Sequence, residues 1–483
     1  MSSQLVIYPS YKWYLLPKEK TYDQLHEIGY KGNRFIVEIY YICHAMLFKT
    51  FALLFLMCLQ HSRLPTPTLD ALKIEVDLGA GNFKIGQQIS VKITMQNTQY
   101  YAIEGSIMAS IATLNRKVIV SYEKPSSIAS QQTFQFPLVG TPTEKGVYLL
   151  YLRFTSTQDK KKLISKTYII GYGLHEIDAP ITRAGDFKSF WTTAKAQLAK
   201  VAPNYKVVKL PTPAHGLYQS YSLEMKSADN YTIKGVYRVP TKGKNFPVLL
   251  QIPSLGGLFV DAPSLGENAY RGIPMDFAML ALNIRGHGKS DSPFVIKDYH
   301  QVITYGLADK DTYFYKGAVL DCIRAIDFLM TRPEIDTAHI GVEGMSQGGG
   351  LSLLLAGLDT RIKICAPDVP FLCNVEQLVA DASWAENELK RYQKTVPQIS
   401  LWALQQNFRY FDTKNVADWI TCPVLMSIGL QDWTCPPHTC YATYNQIKST
   451  KEVCLYTYGA HEGGGKLHRK IKFEWIRTQW GMK

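Results

Sequence analysis

The pattern of apolar and polar residues divides the chain into two parts. From about residue 72 to residue 171, apolar and polar residues alternate with period two in short segments separated by turn residues. Seven such segments in roughly 100 residues are typical of a β-sandwich of immunoglobulin-like size. The segments are KIEVDL, QISVKITMQN, SIMASIAT, KVIVSYE, QTFQFPL, GVYLLYLRF and LISKTYIIGY.

After a connector around Pro180 the pattern becomes that of alternating helices and strands. A helix near 187–198 is followed by two strands, SYSLEMKS and TIKGVYRVP, which we expect to be antiparallel at a sheet edge. Beyond them the apolar residues form continuous runs, which indicate strands covered on both faces and hence a largely parallel α/β sheet. The runs lie at 247–254, 277–286, 339–346, 362–369, 423–430 and 452–459, and a helix at 318–330 precedes the third.

The first 64 residues follow neither pattern. We interpret residues 1–45 as a misassigned upstream extension, with translation starting at Met46. Residues 46–64 resemble a secretory signal peptide, because Lys49 precedes an apolar run that is too short to span a membrane. Cys58 ends this run where a lipoprotein cysteine would stand, although the residue before it is larger than such sites favour. A buried N-terminal helix is the alternative.

Composition and length narrow the class of protein. A chain of 483 residues with 46% hydrophobic and 19% charged residues fits a globular protein of more than one domain. We therefore predict a β-sandwich domain at 70–175 and an α/β domain at 183–483. The net charge of +13 is spread along the chain and accompanies no nucleic-acid motif, so we expect no nucleic-acid partner.

The nine cysteines form no evident disulfide framework, and buried free thiols are the expected state for most of them. Cys435 and Cys440 are close enough in sequence for a disulfide to stay open as an alternative. No paired histidine or cysteine ligands stand at metal spacing, so we expect no bound metal.

Gly344-Met345-Ser346-Gln347-Gly348 lies between an apolar strand and an apolar-striped helix. In that context G-x-S-x-G is typical of a nucleophile elbow, and a glycine-rich turn is the alternative. Asp432 and His461 each follow a later strand, and the chain order Ser346, Asp432, His461 is that of α/β-hydrolases. We predict that His461 takes the Ser346 proton and that Asp432 orients the imidazole. Asp368, also after a strand, is a weaker candidate for the acid.

An oxyanion hole needs two N–H donors. One is the backbone of Gln347, directly after the nucleophile. The other is expected from Ser254 or Leu255 in the loop after the strand at 247–254, because Pro253 before them has no N–H. The segment Arg285–Gly288 follows the next strand and is predicted to brace this face, with a solvated turn as the alternative.

The α/β part resembles carbohydrate esterase family 7, the acetyl xylan esterases and cephalosporin C deacetylases, over roughly 183–483. The resemblance rests on GMSQGGG, DVPFLCN, GLQDWTCPPHTCYATYNQI and YGAHEGGG. It implies the α/β-hydrolase fold, the same catalytic set of Ser346, Asp432 and His461, and no cofactor. The implied oxyanion donors are Gln347 and Ser254, where the family usually has tyrosine, and His287 stands where the family has glutamine. The family often forms ring-like hexamers, so a homo-oligomer is implied unless the extra domain prevents it.

These residues predict a secreted or periplasmic serine esterase that removes acetyl groups from xylan, xylo-oligosaccharides or similar acetylated carbohydrates. A serine peptidase or a broad-specificity carboxylesterase is one alternative, and a non-catalytic carbohydrate-binding protein is another. The aromatic-rich segment from Glu376 to Phe411 is expected to cap the mouth of the site and to restrict the acyl group to acetate, with an ordinary core helix pair as the alternative.

Overall fold

The computed structural model describes residues 72–157, 163–211, 216–256, 276–294, 298 and 300–482. The predictions about the extension at 1–45, the signal-like segment at 46–64 and Cys58 therefore lie outside the described residues. Within the described part of the chain, no helix combines the length and apolar character needed to cross a membrane. Leu69–Lys483 form one compact unit.

The N-terminal part of this unit is a β-sandwich with a three-stranded and a five-stranded sheet. Apolar residues alternate between its faces, and side chains of both sheets share one core that contains Ile93, Met95, Ile107, Leu150 and Phe154. All seven predicted strands are present, and a two-residue strand is added. The strands are β1 (Leu72–Asp77), β2 (Asn82–Phe83), β3 (Ile89–Asn97), β4 (Ile103–Thr113), β5 (Val118–Ile128), β6 (Thr133–Gly140), β7 (Gly146–Ser156) and β8 (Leu163–Tyr172), in the orders β1-β3-β6 and β2-β8-β7-β4-β5. The immunoglobulin-like topology stays a prediction.

The rest of the unit is built on a nine-stranded sheet of order β17-β16-β15-β14-β12-β13-β11-β10-β9. Strands β12 to β17 are parallel, and β9 to β11 continue the sheet in antiparallel fashion. The predicted antiparallel pair is therefore present, but the short strand β9 forms the edge. The strands are β9 (Lys206–Lys209), β10 (Tyr218–Lys226), β11 (Thr232–Pro240), β12 (Phe246–Ile252), β13 (Ala278–Asn283), β14 (Ile335–Met345), β15 (Ile364–Asp368), β16 (Val424–Gly429) and β17 (Lys451–Tyr456).

Helices cover both faces of this sheet, which explains why its central strands are continuously apolar. Leu250 and Leu280 pack in the core under the larger set of helices, whereas Leu249 and Met279 face a smaller cluster with Phe473 of the last helix. The helices are α1 (Phe187–Ala199), α2 (His300–Thr304), α3 (Phe314–Met330), α4 (Gln347–Leu358), α5 (Val375–Asp381), α6 (Ser383–Gln393), α7 (Leu401–Phe408), α8 (Pro437–Gln446) and α9 (Gly465–Gln479).

Specific polar contacts attach the sandwich to the α/β part. The Gln431 side chain accepts a hydrogen bond from the Ile169 N–H at 2.8 Å and donates one to the Ile169 carbonyl at 3.0 Å. The Leu78 N–H donates to the Tyr458 hydroxyl at 3.0 Å. Both Gln431 and Tyr458 lie in loops that follow the last two parallel strands, so the sandwich is attached next to the carboxyl ends of those strands.

Candidate active site

Ser346 occupies a strained turn between β14 and α4. Its backbone has φ 58° and ψ −117°, a combination that costs energy for any residue with a side chain and is frequent at functional sites. The two flanking glycines make this turn possible. A Cβ on Gly344 would lie 2.5 Å from the Gly348 carbonyl carbon, and one on Gly348 would lie 2.2 Å from the Ile252 carbonyl oxygen. The strand–turn–helix geometry expected of a nucleophile elbow is therefore present.

His461 and Asp432 form a hydrogen-bonded pair. His461 Nδ1 lies 2.8 Å from Asp432 Oδ2, and the carboxylate is fully buried whereas the imidazole is 32% exposed. The other carboxylate oxygen accepts the N–H groups of Thr434 at 2.8 Å and Cys435 at 2.9 Å. These bonds fix the carboxylate, which in turn holds the imidazole with its other nitrogen available.

Asp368, the weaker candidate for the acid, has different partners. Lys472 Nζ lies 2.7 Å from its carboxylate and His468 Nε2 lies 3.0 Å from it. Burial alone would raise the pKa of Asp368, but the Lys472 charge and the His468 contact outweigh it and lower that pKa. Asp368 therefore belongs to an ion cluster with α9, and the carboxylate paired with His461 is Asp432.

Cys435 connects the serine to the histidine–aspartate pair. Its side chain contacts the Ser346 side chain, and its sulfur lies within 4.8 Å of ligand atoms of both Asp432 and His461. Burial, together with the nearby Asp432 charge, raises the pKa of the Cys435 thiol well above its usual value. The thiol is therefore protonated at neutral pH and does not compete with Ser346 as a nucleophile.

The two predicted oxyanion donors come from adjacent segments. Gln347 is the first residue of α4. The N–H groups of the first turn of a helix have no acceptor within the helix, and the Gln347 N–H is one of them. The close approach of Gly348 to the Ile252 carbonyl brings the loop after β12 against this helix end. Ser254 in that loop donates its hydroxyl to the Met345 carbonyl at 3.1 Å, which ties the loop to the residue before the nucleophile.

A hydrogen-bonded network holds the Gln347 side chain. Tyr315 donates its hydroxyl to Gln347 Oε1 at 3.0 Å, and Gln347 Nε2 lies 3.1 Å from His287 Nε2. Burial lowers the pKa of His287, although its contacts with the Arg285 and Ser254 carbonyls oppose this effect. A neutral imidazole can donate from Nδ1 to the Arg285 carbonyl, at 3.2 Å, and accept from Gln347. His287 thus supports the residue that carries one oxyanion donor.

The contacts of Arg285 confirm that the segment Arg285–Gly288 braces this face of the sheet. Arg285 is buried, and its guanidinium makes a two-pronged ion pair with Asp321 of α3, with N–O distances of 2.9 Å, and a further one with Asp229 at 3.0 Å. The segment is therefore not a solvated turn.

Ser346 opens into a pocket of about 300 Å³ with a mainly apolar lining. The aromatic part of the lining comes from Tyr315, Phe371 and Trp384. A pocket of this size is at the lower end of the range for small-molecule sites. Its lining residues are Leu255, Ile303, Tyr315, Ser346, Gln347, Phe371, Trp384, Thr434 and Cys435.

Comparison with known proteins identifies the family. The model of the acetyl xylan esterase (AXE1) family matches residues 173–479, more than half of the chain. The chain belongs to the acetyl xylan esterase family. Acetyl esterase Axe7A of Xylanibacter ruminicola is 28% identical over 282 residues, which cover 57% of this chain and 63% of that relative, so the match spans less than two thirds of its length.

Two solved acetyl xylan esterases share the fold of the matched part. The enzyme from Paenibacillus sp. R4 is 33% identical with a TM-score of 0.58, and the match covers 63% of this chain and 98% of that one. Acetyl xylan esterase 1 from Thermoanaerobacterium sp. JW/SL YS485 is 26% identical with a TM-score of 0.57, covering 64% and 98%. The α/β-hydrolase fold is thereby confirmed.

In this member of the acetyl xylan esterase family, the predicted cap is only partly present. Trp384 of α6 lines the pocket, and its indole N–H donates to the Thr434 carbonyl at 3.2 Å. Phe408 and Phe411, in contrast, are buried in the main core, and Trp402 is 67% exposed. The expectation that all these aromatic residues cap the site was wrong, because helical spacing places most of them toward the core.

The structure also tests the alternative of a disulfide between Cys435 and Cys440, which both lie in the described part of the chain. Cys435 and Cys440 are both free and buried, so the disulfide alternative was wrong. Among the described residues, Asp432, Cys435 and His461 form a group that could hold a metal ion. A metal there would compete for His461 Nδ1 with the hydrogen bond to Asp432, and it would need the protonated Cys435 thiol to ionise.

Several residues of the site were not predicted from the sequence. Tyr315 and Ile303 come from segments with no motif, and Cys435 was considered only as a disulfide partner or a metal ligand. Cys435 was within reach of prediction, because it lies three residues after the proposed acid in a segment that carries the family resemblance.

Proposed function

We propose that the protein is a serine carboxylic ester hydrolase that removes O-acetyl groups from acetylated xylan, xylo-oligosaccharides or similar carbohydrates. The observation that carries the proposal is the pairing of His461 with buried Asp432 beside a serine held in a nucleophile elbow. Membership of the acetyl xylan esterase family supports the class of ester.

The arrangement of these residues supports the following mechanism. Ser346 Oγ attacks the acetyl carbonyl carbon, and His461 Nε2 accepts the serine proton while Asp432 holds the Nδ1 proton and stabilises the imidazolium. The backbone N–H groups of Gln347 and Ser254 receive the oxyanion. His461 then gives its proton to the departing sugar hydroxyl. Water attacks the acetyl-enzyme by the same route, with His461 as the base, and releases acetate.

A broad-specificity carboxylesterase is the second candidate. The apolar lining of the pocket by Leu255, Ile303 and Phe371 favours it, because such a lining also accepts longer acyl chains. A peptidase has no comparable support, since the family model and both solved relatives are acetyl xylan esterases. A non-catalytic binding protein would not require the strained serine and its paired histidine.

Replacement of Ser346 by alanine tests the proposal. Hydrolysis of 4-nitrophenyl acetate and acetate release from acetylated xylo-oligosaccharides are expected to fall by about 10⁴-fold or more. Ser352→Ala is the matched control, because Ser352 is a buried serine of the helix that follows Ser346 and donates to the Gly348 carbonyl. Near-native turnover by Ser346→Ala would show that another group is the nucleophile. Hydrolysis of the nitrophenyl ester without acetate release from the oligosaccharides would favour the broad-specificity carboxylesterase.

Chemical modification provides an independent check of the same assignment. A sulfonyl fluoride is expected to inactivate the enzyme, whereas iodoacetamide should have little effect because the Cys435 thiol stays protonated and buried. Rapid loss of activity with iodoacetamide would point to Cys435 instead.

We further propose that the enzyme is exported to the periplasm or the medium, where polysaccharide substrates are found. Support comes from the signal-like sequence at 46–64, which lies outside the described residues. N-terminal sequencing of the expressed protein tests this, and a mature chain that retains Met1 would contradict it.

A further inference from the structure

A second, larger cavity lies between the β-sandwich and the α/β part. It has a volume of about 920 Å³, near the upper end of the range for small-molecule sites. The turn that joins β4 to β5 and the turn that precedes β7 form one wall. Helix α5, Trp433 and His438 form the opposite wall, and residues 177–179 of the connector lie between them. We call this space the interdomain cleft.

The chemistry of the cleft suits a neutral ligand with many hydroxyl groups. Trp433 is 49% exposed and lines the cleft, so part of its indole is available to pack against the apolar face of a sugar ring. Asp381 lies beside it with hydrogen bonds to His438 at 2.8 Å and Gln377 at 2.6 Å. The charged residues of the lining balance in sign, since Arg116, Lys117 and Lys145 stand against Glu144, Asp178 and Asp381.

The cleft adjoins the pocket of Ser346. Trp433 follows the proposed acid Asp432 directly, and the next two residues, Thr434 and Cys435, line the Ser346 pocket. Two residues of extended chain span at most roughly 7 Å. The Trp433 backbone therefore lies within about 7 Å of Cys435 in the wall of the Ser346 pocket, so sugar units bound on Trp433 would adjoin that pocket.

The two walls are held in a fixed arrangement. Besides the paired bonds of Gln431 to Ile169, the Asn445 amide donates to the carbonyls of Leu174 at 3.0 Å and Ile177 at 2.9 Å. Apolar residues of the sandwich such as Val147 and Leu149 pack in the same core as the α/β helices. A preformed cleft loses less entropy on binding than one that closes around its ligand.

We propose that the interdomain cleft binds the glycan chain of the substrate, with Trp433 as the stacking platform and the β-sandwich as the far wall. The inference rests on the proposed function, since it assigns the part of the acetylated carbohydrate that extends beyond the acetyl group. The sandwich is then a part of the substrate site, and the enzyme acts on oligosaccharides better than on acetylated monosaccharides.

Kinetics with two substrates test this assignment. For Trp433→Ala and for Arg116→Gly, the ratio of kcat/KM on acetylated xylohexaose to kcat/KM on 4-nitrophenyl acetate is expected to fall about tenfold, because the small ester does not reach the cleft. Glycine suits position 116, where φ is 65°. Trp402→Ala, which removes a more exposed tryptophan outside the cleft lining, is the control and should leave the ratio unchanged. An unchanged ratio in both cleft variants would overturn the proposal.

A direct binding measurement distinguishes a failure of the cleft proposal from a failure of the proposed esterase function. Calorimetry with Ser346→Ala and deacetylated xylohexaose should show binding that adding Trp433→Ala weakens about tenfold and adding Trp402→Ala does not. If the unmodified chain has no esterase activity but this Trp433-dependent binding is present, glycan binding in the cleft is supported and the proposed esterase function is rejected. If the enzyme acts on acetylated xylohexaose but neither binding nor kinetics depends on Trp433, the esterase function is supported and glycan binding in the cleft is rejected.

Discussion

Two carboxylates at the ends of neighbouring strands, fully buried Asp432 and partly buried Asp368, have different partners. Asp432 accepts two backbone N–H groups and holds His461, whereas Asp368 is bound to Lys472 and His468. The partners of Asp432 suit a carboxylate that orients the imidazole proposed to exchange protons. The partners of Asp368 neutralise its negative charge. We therefore expect the two residues to contribute to different properties of the protein, Asp432 to the proposed catalysis and Asp368 to stability.

Asparagine substitutions separate these contributions. Asp432→Asn is expected to lower kcat on 4-nitrophenyl acetate by about 10⁴-fold with a small change in stability, because the amide favours the wrong imidazole tautomer. Asp368→Asn should keep kcat within about tenfold and lower the free energy of unfolding by about 1–3 kcal/mol, since it removes a buried partner of Lys472. Steady-state kinetics and urea unfolding measure the two effects, and the reverse ranking in kcat would transfer the acid role to Asp368.

Sequence alone indicated the three candidate catalytic residues but not the residues that support them. Ser346, Asp432 and His461 were predictable because each follows a strand of a parallel sheet, where the fold requires the site to be. The supporting residues Tyr315 and Lys472 were not, since each lies within a helix far away in sequence and carries no local signal. Their roles depend on which side chains the packing of α3 and α9 directs inward.

At the scale of elements, Lys472 fastens the last helix to the central sheet. Its ammonium lies 2.6 Å from Glu343 of β14 and 2.7 Å from Asp368 of β15, and it is buried. Burial alone would lower the pKa of Lys472, but the two carboxylates outweigh it and raise that pKa. The raised pKa of Lys472 means that its contribution to stability is lost only in strongly alkaline solution. The lowered pKa of Asp368 means that its contribution is lost as the pH falls through that value.

Lys472→Met tests whether the ion pairs of Lys472 with Glu343 and Asp368 stabilise the fold. The variant leaves two carboxylates without their cation, so the free energy of unfolding at pH 7 is expected to fall by about 3–5 kcal/mol. Without Lys472, burial favours the protonated form of Asp368, so acid relieves part of the cost. The difference from the unmodified protein should therefore shrink between pH 7 and pH 5 in urea unfolding.

Lys470→Met is the matched control for this prediction. Lys470 lies on the exposed side of the same helix, 76% accessible, with Glu474 at 3.8 Å. Its replacement is expected to change stability by less than about 0.5 kcal/mol at either pH. A stability difference for Lys472→Met that stays constant with pH would contradict the role assigned to the buried carboxylates.

The acyl pocket is also a property of elements, because Trp384 of α6 forms part of its wall. We expect kcat/KM to fall from 4-nitrophenyl acetate to butyrate to octanoate, since each methylene that does not fit costs on the order of 1–3 kcal/mol of transition-state binding. Trp384→Ala should enlarge the pocket and shift the preference toward butyrate, whereas Trp402→Ala should not. Activity that rises with chain length in the unmodified enzyme would reject the acetyl specificity.

The elements themselves were largely predictable, with limits that have a physical origin. Period-two alternation indicates burial on one face and continuous apolar runs indicate burial on both, so all the described strands except β2 and β9 were found from the sequence. Strand β9 was missed because Lys206–Lys209 is short and mostly exposed, and an exposed edge strand has no burial pattern to detect. The aromatic residues after Glu376 were assigned to the wrong surface, because periodicity does not show which neighbour a helix faces.

At the scale of the whole molecule, the Gln431 side chain joins the sandwich to the two loops that carry the proposed acid and base. Gln431 immediately precedes Asp432, and its amide bonds both to the Ile169 backbone of β8 and to the Thr457 carbonyl, at 2.8 Å, in the loop that leads to His461. The change of periodicity near Pro180 predicted two domains. Their attachment could not be predicted, because it depends on a few polar residues that form no pattern along the chain.

Gln431→Leu tests whether this coupling supports catalysis. The substitution leaves the Ile169 N–H and two carbonyls without their partner, so the free energy of unfolding is expected to fall by about 1–3 kcal/mol. A displacement of the Asp432 loop by a fraction of an ångström should also lower kcat on 4-nitrophenyl acetate by about tenfold. Gln446→Leu is the matched control, because Gln446 donates to the Ala179 carbonyl from the far end of α8. It should reduce stability alone, and equal kcat values for the two variants would show that the sandwich does not position the catalytic loops.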